Sequence, residues 1–383
     1  MKWYNGPPKP PWGGRQGSLA VTYMFALKPR APALTRTQRM VLRVDGERIA
    51  DVEYRPDIDE HASFDQVGRM GAERLVATAA GLCPSCGVAH ALALCQAIEA
   101  LTSVELPPRA ALLRTLIAEL ERAASHLTTV GDLFAALGLP AASGVFAHHS
   151  QLLRETLENV AGKPAGTLLI PGGLAQDLAL TALDVPAAIA RQSLGALFAL
   201  TDRLLSGRGL LARTMEVGAI STSAAEQFML SGPLARAAGL RADLRIDAPY
   251  AAYQTMPPGL VVQEGGDVYA RLLVLLLEAL ESLKLVELAA NNPPGGPIAS
   301  PLPTKLPNGI GMSGVEAPRG PLRYRVEASD GRISAISIQV APQLDRLLAR
   351  TLLTNSCVDD VALILLSTDP CDACLGTASA SSP

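Results

Sequence analysis

Two short cysteine pairs carry the strongest chemical signal in the chain: Cys83-Pro-Ser-Cys86 and Cys371-Asp-Ala-Cys374. Each pair is close enough to chelate one ion, and four thiolates drawn from two distant segments make a soft site. Such a site favours zinc, an iron–sulfur cluster or nickel over magnesium or calcium. A structural zinc site with four cysteine ligands fits the spacing as well as a catalytic metal does. Structural zinc pairs usually lie closer in sequence than residues 83 and 374, so the pattern suits a buried centre assembled by the whole fold. Pro84 is expected to open a helix, which sets the first pair at the positive helix end and favours the thiolate. His90 follows Cys86 by four residues on the same helical face, where it could donate a hydrogen bond to a cysteine sulfur.

The remaining candidates read more plainly. Cys95 and Cys357 look like small core residues. His126 sits in a helical stretch of low charge and reads as a satisfied core or helix-face histidine. His148 and His149 lie near a helix start and are given no metal role. Asp59 and Glu60, in YRPDIDEH, read equally well as part of a solvated loop.

The elements that must position the cysteines are mostly helical. Apolar residues recur at three- and four-residue steps over Pro84–Leu101, Arg109–Ala136, Ser150–Ala161, Val185–Leu205 and Asp267–Leu288, which are segments for a bundle core. Leu344–Leu353 is again helical, and Val361–Leu366 is a short apolar run of ambiguous type closed by Asp369-Pro370. Two stretches alternate instead. Arg39–Tyr54 turns at Asp45-Gly46-Glu47, and Gly311–Val340 turns at Asp330-Gly331, so each reads as a β-hairpin. Between them 291–310 is a proline- and glycine-rich loop. The expected class is mainly α: a large helical bundle core with small β-hairpin elements near the N-terminus and around 311–340. The expected division is an extended N-terminal tail over 1–38, one domain over 39–376 and a short tail over 377–383.

Composition narrows the function classes. Hydrophobic residues make up 49% and charged residues 18% of 383 residues, which is globular rather than disordered. The formal net charge is −3 and no basic run occurs, so nucleic acid is excluded as the expected partner. The richest apolar run, Leu272–Leu288, is interrupted by Glu278, Glu281, Lys284 and Glu287, so no transmembrane span is expected. The opening MKWYNGPPKPPWGG lacks the apolar core of a signal peptide, which makes the cytoplasm the default location.

Longer matches then point to a family. LCPSCGVAHALALCQAIEAL resembles the N-terminal nickel-binding motif of nickel–iron hydrogenase large subunits, and STDPCDACLG resembles their C-terminal motif. ELPPRAALLRTLIAELERAASHLTTVGDLFAALG, PGGLAQDL, ARTMEVGAIS, LSGPLARAAGLRADLRIDAPYAAY, DVYARLLVLLLEALES and VEAPRGPLRYRV follow in order. They resemble segments shared by the 49-kDa subunit of respiratory complex I and the energy-converting membrane-bound (group 4) hydrogenases. The likeness spans residues 40–376. Those complex I subunits lack the four cysteines, and their presence here tilts the reading toward a nickel–iron centre.

The resemblance implies that Cys83, Cys86, Cys371 and Cys374 bind nickel, with Cys86 and Cys374 bridging to an iron that holds cyanide and carbon monoxide. Arg319 would hang over the metals, Pro318 would line the small-ligand pocket, Asp369 would support Arg319, and Asp59 or Glu60 is the nearest counterpart of an upstream acidic residue. It further implies a small subunit carrying an iron–sulfur cluster, antiporter-like membrane subunits or hydrogenase maturation proteins as partners, and a peripheral place on the cytoplasmic membrane face. Departures stand beside these matches. Gly81 replaces a usual Arg, Pro84 replaces a usual Gly, and Thr377 occupies the position of the usual His or Arg after which the family is processed, so the tail would stay unprocessed. Three readings stay open: an oxidoreductase that cleaves or forms hydrogen, a non-catalytic scaffold that carries the cofactor or its iron fragment during assembly, and a complex I-like quinone-linked electron-transfer subunit.

Overall fold

The computed structural model describes residues 21–27, 38–54, 69–291, 293–341 and 344–371. The chain starts with an antiparallel sheet of β1 (Val21–Leu27), β2 (Gln38–Asp45) and β3 (Arg48–Tyr54). Alternation in β2 buries Met40, Leu42 and Val44, and the turn at Asp45-Gly46 joins it to β3 as expected. β1 lies in the stretch expected to be an extended tail; it pairs with β2 over its full length.

Helices then dominate: α1 (Ala72–Ala80), α2 (Gly87–Thr102), α3 (Pro108–Ala136) and α4 (Pro140–Ala161). A small ribbon of β4 (Leu169–Ile170) and β5 (Gly173–Leu174) leads to α5 (Leu180–Leu205). Short helices follow, α6 (Arg208–Thr214), α7 (Thr222–Gln227), α8 (Gly232–Ala237) and α9 (Leu244–Asp247), before the long α10 (Val268–Asn291). A second antiparallel sheet holds β6 (Gly309–Ala317), β7 (Gly320–Ser329) and β8 (Arg332–Gln339). The described chain closes with α11 (Arg346–Leu353) and α12 (Val361–Ser367). About 52% of the described residues are helix and 17% strand, so the class is mixed α/β rather than mainly α. The region expected as a second hairpin is a three-stranded meander because Gly309–Ala317 adds β6 as an outer strand.

The core is a bundle in which α3 packs between α4 and α10, and α5 packs on both α4 and α10. Pro108 and Pro140 open α3 and α4, where a missing N–H is harmless. α4 therefore starts ten residues before the expected Ser150. Against the bundle lies α2, seated on β6 and β7. Its 16 residues are buried almost all round, as a helix covered on both sides must be.

That seating depends on Gly311. A Cβ there would lie 2.0 Å from the Ala97 carbonyl oxygen and 2.8 Å from Leu101 Cβ. Gly311→Ala is expected to push α2 off the sheet and destabilise the protein by about 1–3 kcal/mol. A thermal melt showing an unchanged midpoint for this variant would contradict the packing.

Candidate metal centre

Cys83 sits in the loop between α1 and α2, and Cys86 caps the start of α2. The expected helix start at Pro84 is moved to Gly87: Pro84-Ser85-Cys86 form a turn that swings the chain back against α1. Only glycine fits at 87, because a Cβ there would lie 2.3 Å from the Ala80 carbonyl oxygen. Cys371 arrives from the other end of the chain, just after α12, which packs on α3 and α10. The sulfurs of Cys83 and Cys371 lie 3.8 Å apart, although the residues are separated by 288 positions. Both side chains are buried, as is Cys86. Cys374, Asp59 and Glu60 fall outside the described residues.

Arg319, in the turn from β6 to β7, organises the meeting point. Its Nε donates to the Asp369 carbonyl oxygen at 3.0 Å and its Nη2 to Asp369 Oδ1 at 2.9 Å. Nη1 donates to Ser85 Oγ at 2.9 Å. Ser85 Oγ, already accepting from Arg319, lies 3.3 Å from Cys83 Sγ and can turn its own proton toward that sulfur. Thr129 on α3 donates to Asp369 Oδ1 at 2.7 Å. Asp369 has φ of 49°, a left-handed conformation that an Asp side chain tolerates better than most. Burial alone would lower the Arg319 pKa, but Asp369 and the sulfurs of Cys371, Cys86 and Cys83 override it and hold the guanidinium charged.

His90 lies on the face of α2 expected for it, buried, and its Nδ1 pairs with Tyr324 Oη at 2.7 Å. Burial lowers its pKa, so the ring is neutral. Pro318, next to Arg319, is buried. Cys95 is a core residue as expected, and burial pushes its thiol up to about 12. Cys357 is not in the core: it is half-buried and bridges to Arg48 of β3. His126 is a core residue, fully buried on α3. Its Nε2 lies 3.3 Å from Glu278 Oε2, inside a cluster of buried charges.

Two further residues escaped the sequence reading. Glu121 of α3 reaches under α2, where its carboxylate accepts from the Val88 and Ala89 amides at 2.7 and 3.0 Å. Burial pushes its pKa up to about 8, and the two amide hydrogen bonds only partly oppose this. Arg154 of α4 donates to Thr128 Oγ1 at 2.8 Å, and its pKa is lowered by burial and by Arg319. The signal for Glu121 was that α3 carries apolar residues on every side. Such a helix is buried, so its charges must find partners inside.

Two thiolates on one tetrahedral metal with bonds of about 2.3 Å stand about 3.8 Å apart, so Cys83 and Cys371 fit the edge of a metal's coordination shell. Among the described residues no group of three or more His, Cys, Asp or Glu could hold a metal ion. The residues present therefore supply part of a ligand set, and Cys374 would have to complete it.

Comparison with known proteins agrees with the fold. The profile described as "Respiratory-chain NADH dehydrogenase, 49 Kd subunit" matches residues 146–307, a stretch that excludes the cysteines. Formate hydrogenlyase subunit 5 of Escherichia coli is 29% identical, covering 87% of this chain and 59% of its own length. The carbon monoxide-induced hydrogenase of Rhodospirillum rubrum is 27% identical over 92% of this chain and 99% of its own. An NADH-quinone oxidoreductase component of Sinorhizobium medicae is 29% identical over 91% of this chain, so the chain is similar both to hydrogenase components and to complex I-type subunits. The chain spans less than two thirds of formate hydrogenlyase subunit 5. A chain in the structure of the membrane-bound sulfane sulfur reductase, an archaeal respiratory membrane complex, shares the fold. It has a TM-score of 0.83 and 24% identity, covering 92% of this chain and 97% of that chain. Among the described residues no helix is long and apolar enough to cross a membrane.

The buried Glu121 gives the protein a pH signature. Its folded pKa of about 8 lies above the ordinary value of 4.5, so the unfolded chain releases this proton first as pH rises. Stability is then lost from pH 4.5 toward 8, by up to about 4 kcal/mol. Glu121→Gln should remove that loss and gain on the parent chain as pH rises. Urea denaturation of the metal-free protein at pH 5 and pH 8 measures it, and an equal offset at both pH values would refute the assignment.

Proposed function

We propose that the chain is the catalytic large subunit of a nickel–iron hydrogenase, an oxidoreductase that cleaves or forms hydrogen and passes electrons to an iron–sulfur partner subunit. The observation that carries this reading is the 3.8 Å approach of Cys83 and Cys371 beneath a charged, buried Arg319. A nickel–iron centre held by Cys83, Cys86, Cys371 and Cys374 would supply Lewis acidity and a store for two electrons. The protein's own part is electrostatic and geometric. Arg319 and Ser85 offset the negative charge of gathered thiolates. The Asp369 carboxylate fixes the guanidinium over the sulfurs, where it can hold a water or polarise a proton in transit. Pro318, buried next to Arg319, would line the small-ligand pocket. His90, fixed by Tyr324, orients α2 behind the first pair.

The curated relatives include components of a formate hydrogenlyase and of NADH-quinone oxidoreductases, and the solved relative is part of a membrane complex. These support a peripheral subunit that works with a small iron–sulfur protein and membrane subunits. Gly81, Pro84 and Thr377 favour a second reading, a scaffold that carries the iron fragment during hydrogenase assembly. A quinone-linked role would leave the four cysteines to hold a structural zinc ion.

Metal analysis of the native complex separates these readings. Nickel and iron together, both lost in Cys371→Ser, are expected for the hydrogenase; iron without nickel supports the scaffold, and neither metal in a fully assembled complex overturns both. Asp369→Asn is expected to keep the metals but lower hydrogen turnover about a hundred-fold, because Arg319 loses its anchor. Undiminished turnover in that variant would remove Arg319 from the mechanism.

A further inference from the structure

A small cavity of about 20 Å3 lies against the Arg319–Asp369 pair, and Ser231, Arg271, Ser367 and Thr368 line it with them. Two buried atoms of these residues have no hydrogen-bond partner among the described residues: Asp369 Oδ2 and Ser231 Oγ. The carboxylate is therefore half satisfied. Its Oδ1 accepts from Arg319 Nη2 at 2.9 Å and from Thr129 Oγ1 at 2.7 Å, and its Oδ2 is left over. An ionised oxygen left unpaired in the interior is costly, and buried polar atoms are as a rule met by protein or by ordered water.

The start of α8 places Ser231 beside this oxygen. Ser231 is the N-cap residue of α8, where a serine hydroxyl usually accepts from an amide of the first turn. Here it makes no such bond, and Pro233 in that turn has no N–H to offer. Gly232, with φ of 65°, seats α8 directly on the β6–β7 turn: a Cβ there would lie 2.5 Å from the Arg319 carbonyl oxygen. The hydroxyl is released from its usual task and held next to the Arg319 backbone.

We propose that the cavity binds one small neutral hydrogen-bond donor, a water molecule, which ties Asp369 Oδ2 to Ser231, and that Ser231 is thereby a positioning residue for Arg319. The effect on turnover rests on the hydrogenase reading; the site itself does not. Size and charge both select the occupant. One water needs about 10–15 Å3, and the cavity offers little more. Two guanidinium groups on the wall disfavour a cation: Arg319, and Arg271, which is held by Ser367 Oγ and the Gly266 and Gly218 carbonyl oxygens. The unpaired carboxylate oxygen disfavours an anion. The hydrogen bonds also close. Ser231 donates its proton to the water oxygen, and the water donates one proton to Asp369 Oδ2 and the other to Thr368 Oγ1. Thr368 can accept because its own proton goes to the Leu365 carbonyl oxygen at 2.8 Å. Without the bridge the Asp369 side chain is held through Oδ1 alone, and the guanidinium fixed on it loses its aim over the sulfurs.

The test uses the assembled complex with its partner subunits. A structure that resolves ordered water is expected to show one water within hydrogen-bond distance of both Asp369 Oδ2 and Ser231 Oγ, lost in Ser231→Ala and kept in Ser231→Thr. A chloride or metal ion at that point, or a protein atom bonded to Oδ2 in its place, overturns the site. In hydrogen turnover, Ser231→Ala is expected to lower kcat on the order of ten-fold with KM and bound metal unchanged, and Ser231→Thr to restore most of it. Unchanged kcat in Ser231→Ala, equal losses in both variants, or a loss that follows metal content overturns the positioning role. If Ser231→Ala does not assemble, Thr368→Val keeps the side-chain shape, removes the acceptor of the second proton and should lower kcat in the same way; full turnover there overturns the role. A wild-type complex with no hydrogen turnover overturns the hydrogenase reading, and the presence or absence of the bridging water then still decides the site.

Discussion

One ion pair, Arg319 with Asp369, holds three separate parts of the chain at a single point. The guanidinium starts in the β6–β7 turn, grips the segment after α12 through both backbone and carboxylate, and reaches the α1–α2 loop through Ser85. Both side chains are about 8% exposed. A buried ion pair contributes little net stability against an apolar replacement, yet losing one partner is severe because the other is left charged and unpaired. Its value here is positional. The pair specifies where two cysteines from opposite ends of the sequence must come to rest.

The long helices were legible because their apolar periodicity is strong, and their starts were displaced where proline and glycine blur it. α4 begins at Pro140, not Ser150, since a stretch rich in Ala, Gly and His shows weak periodicity although it is helical. The class came out more mixed than the helix-rich composition suggests, because β1 and β6 add outer strands to what read as hairpins. At the site, the cysteine pairs and His90 stood out by residue type and spacing, while Arg319 and Asp369 were marked only by the resemblance to a family. Ser85, Thr129, Glu121 and Arg154 did not stand out, because their importance lies in contacts across the fold that no local pattern encodes.

The same reason hid the charged interior. Arg236 pairs with Glu278 at 2.6 Å and with Glu316 at 2.8 Å, and Arg245 pairs with Asp243 at 2.7 Å and with Glu119 at 3.1 Å. Arg122 donates to the Glu316 carbonyl oxygen, and Tyr253 to Glu119. Read locally, these are the charges of solvated helix faces. In the fold they join α3, α8, α9, α10 and β6 into one lattice that ends beside the Arg319 turn. The members pair mainly with one another, so the lattice tolerates few alternative packings. It gives the β6–β7 turn a rigid footing.

Cys83 and Cys371 become neighbours only when nearly the whole described chain has been made. The ribosome delivers the first partner early and the second almost 300 residues later, so the pocket around Cys83 must stay open throughout synthesis. During that interval its early thiols face the cell without their mate. Timing, and not affinity alone, then decides what those thiols meet first.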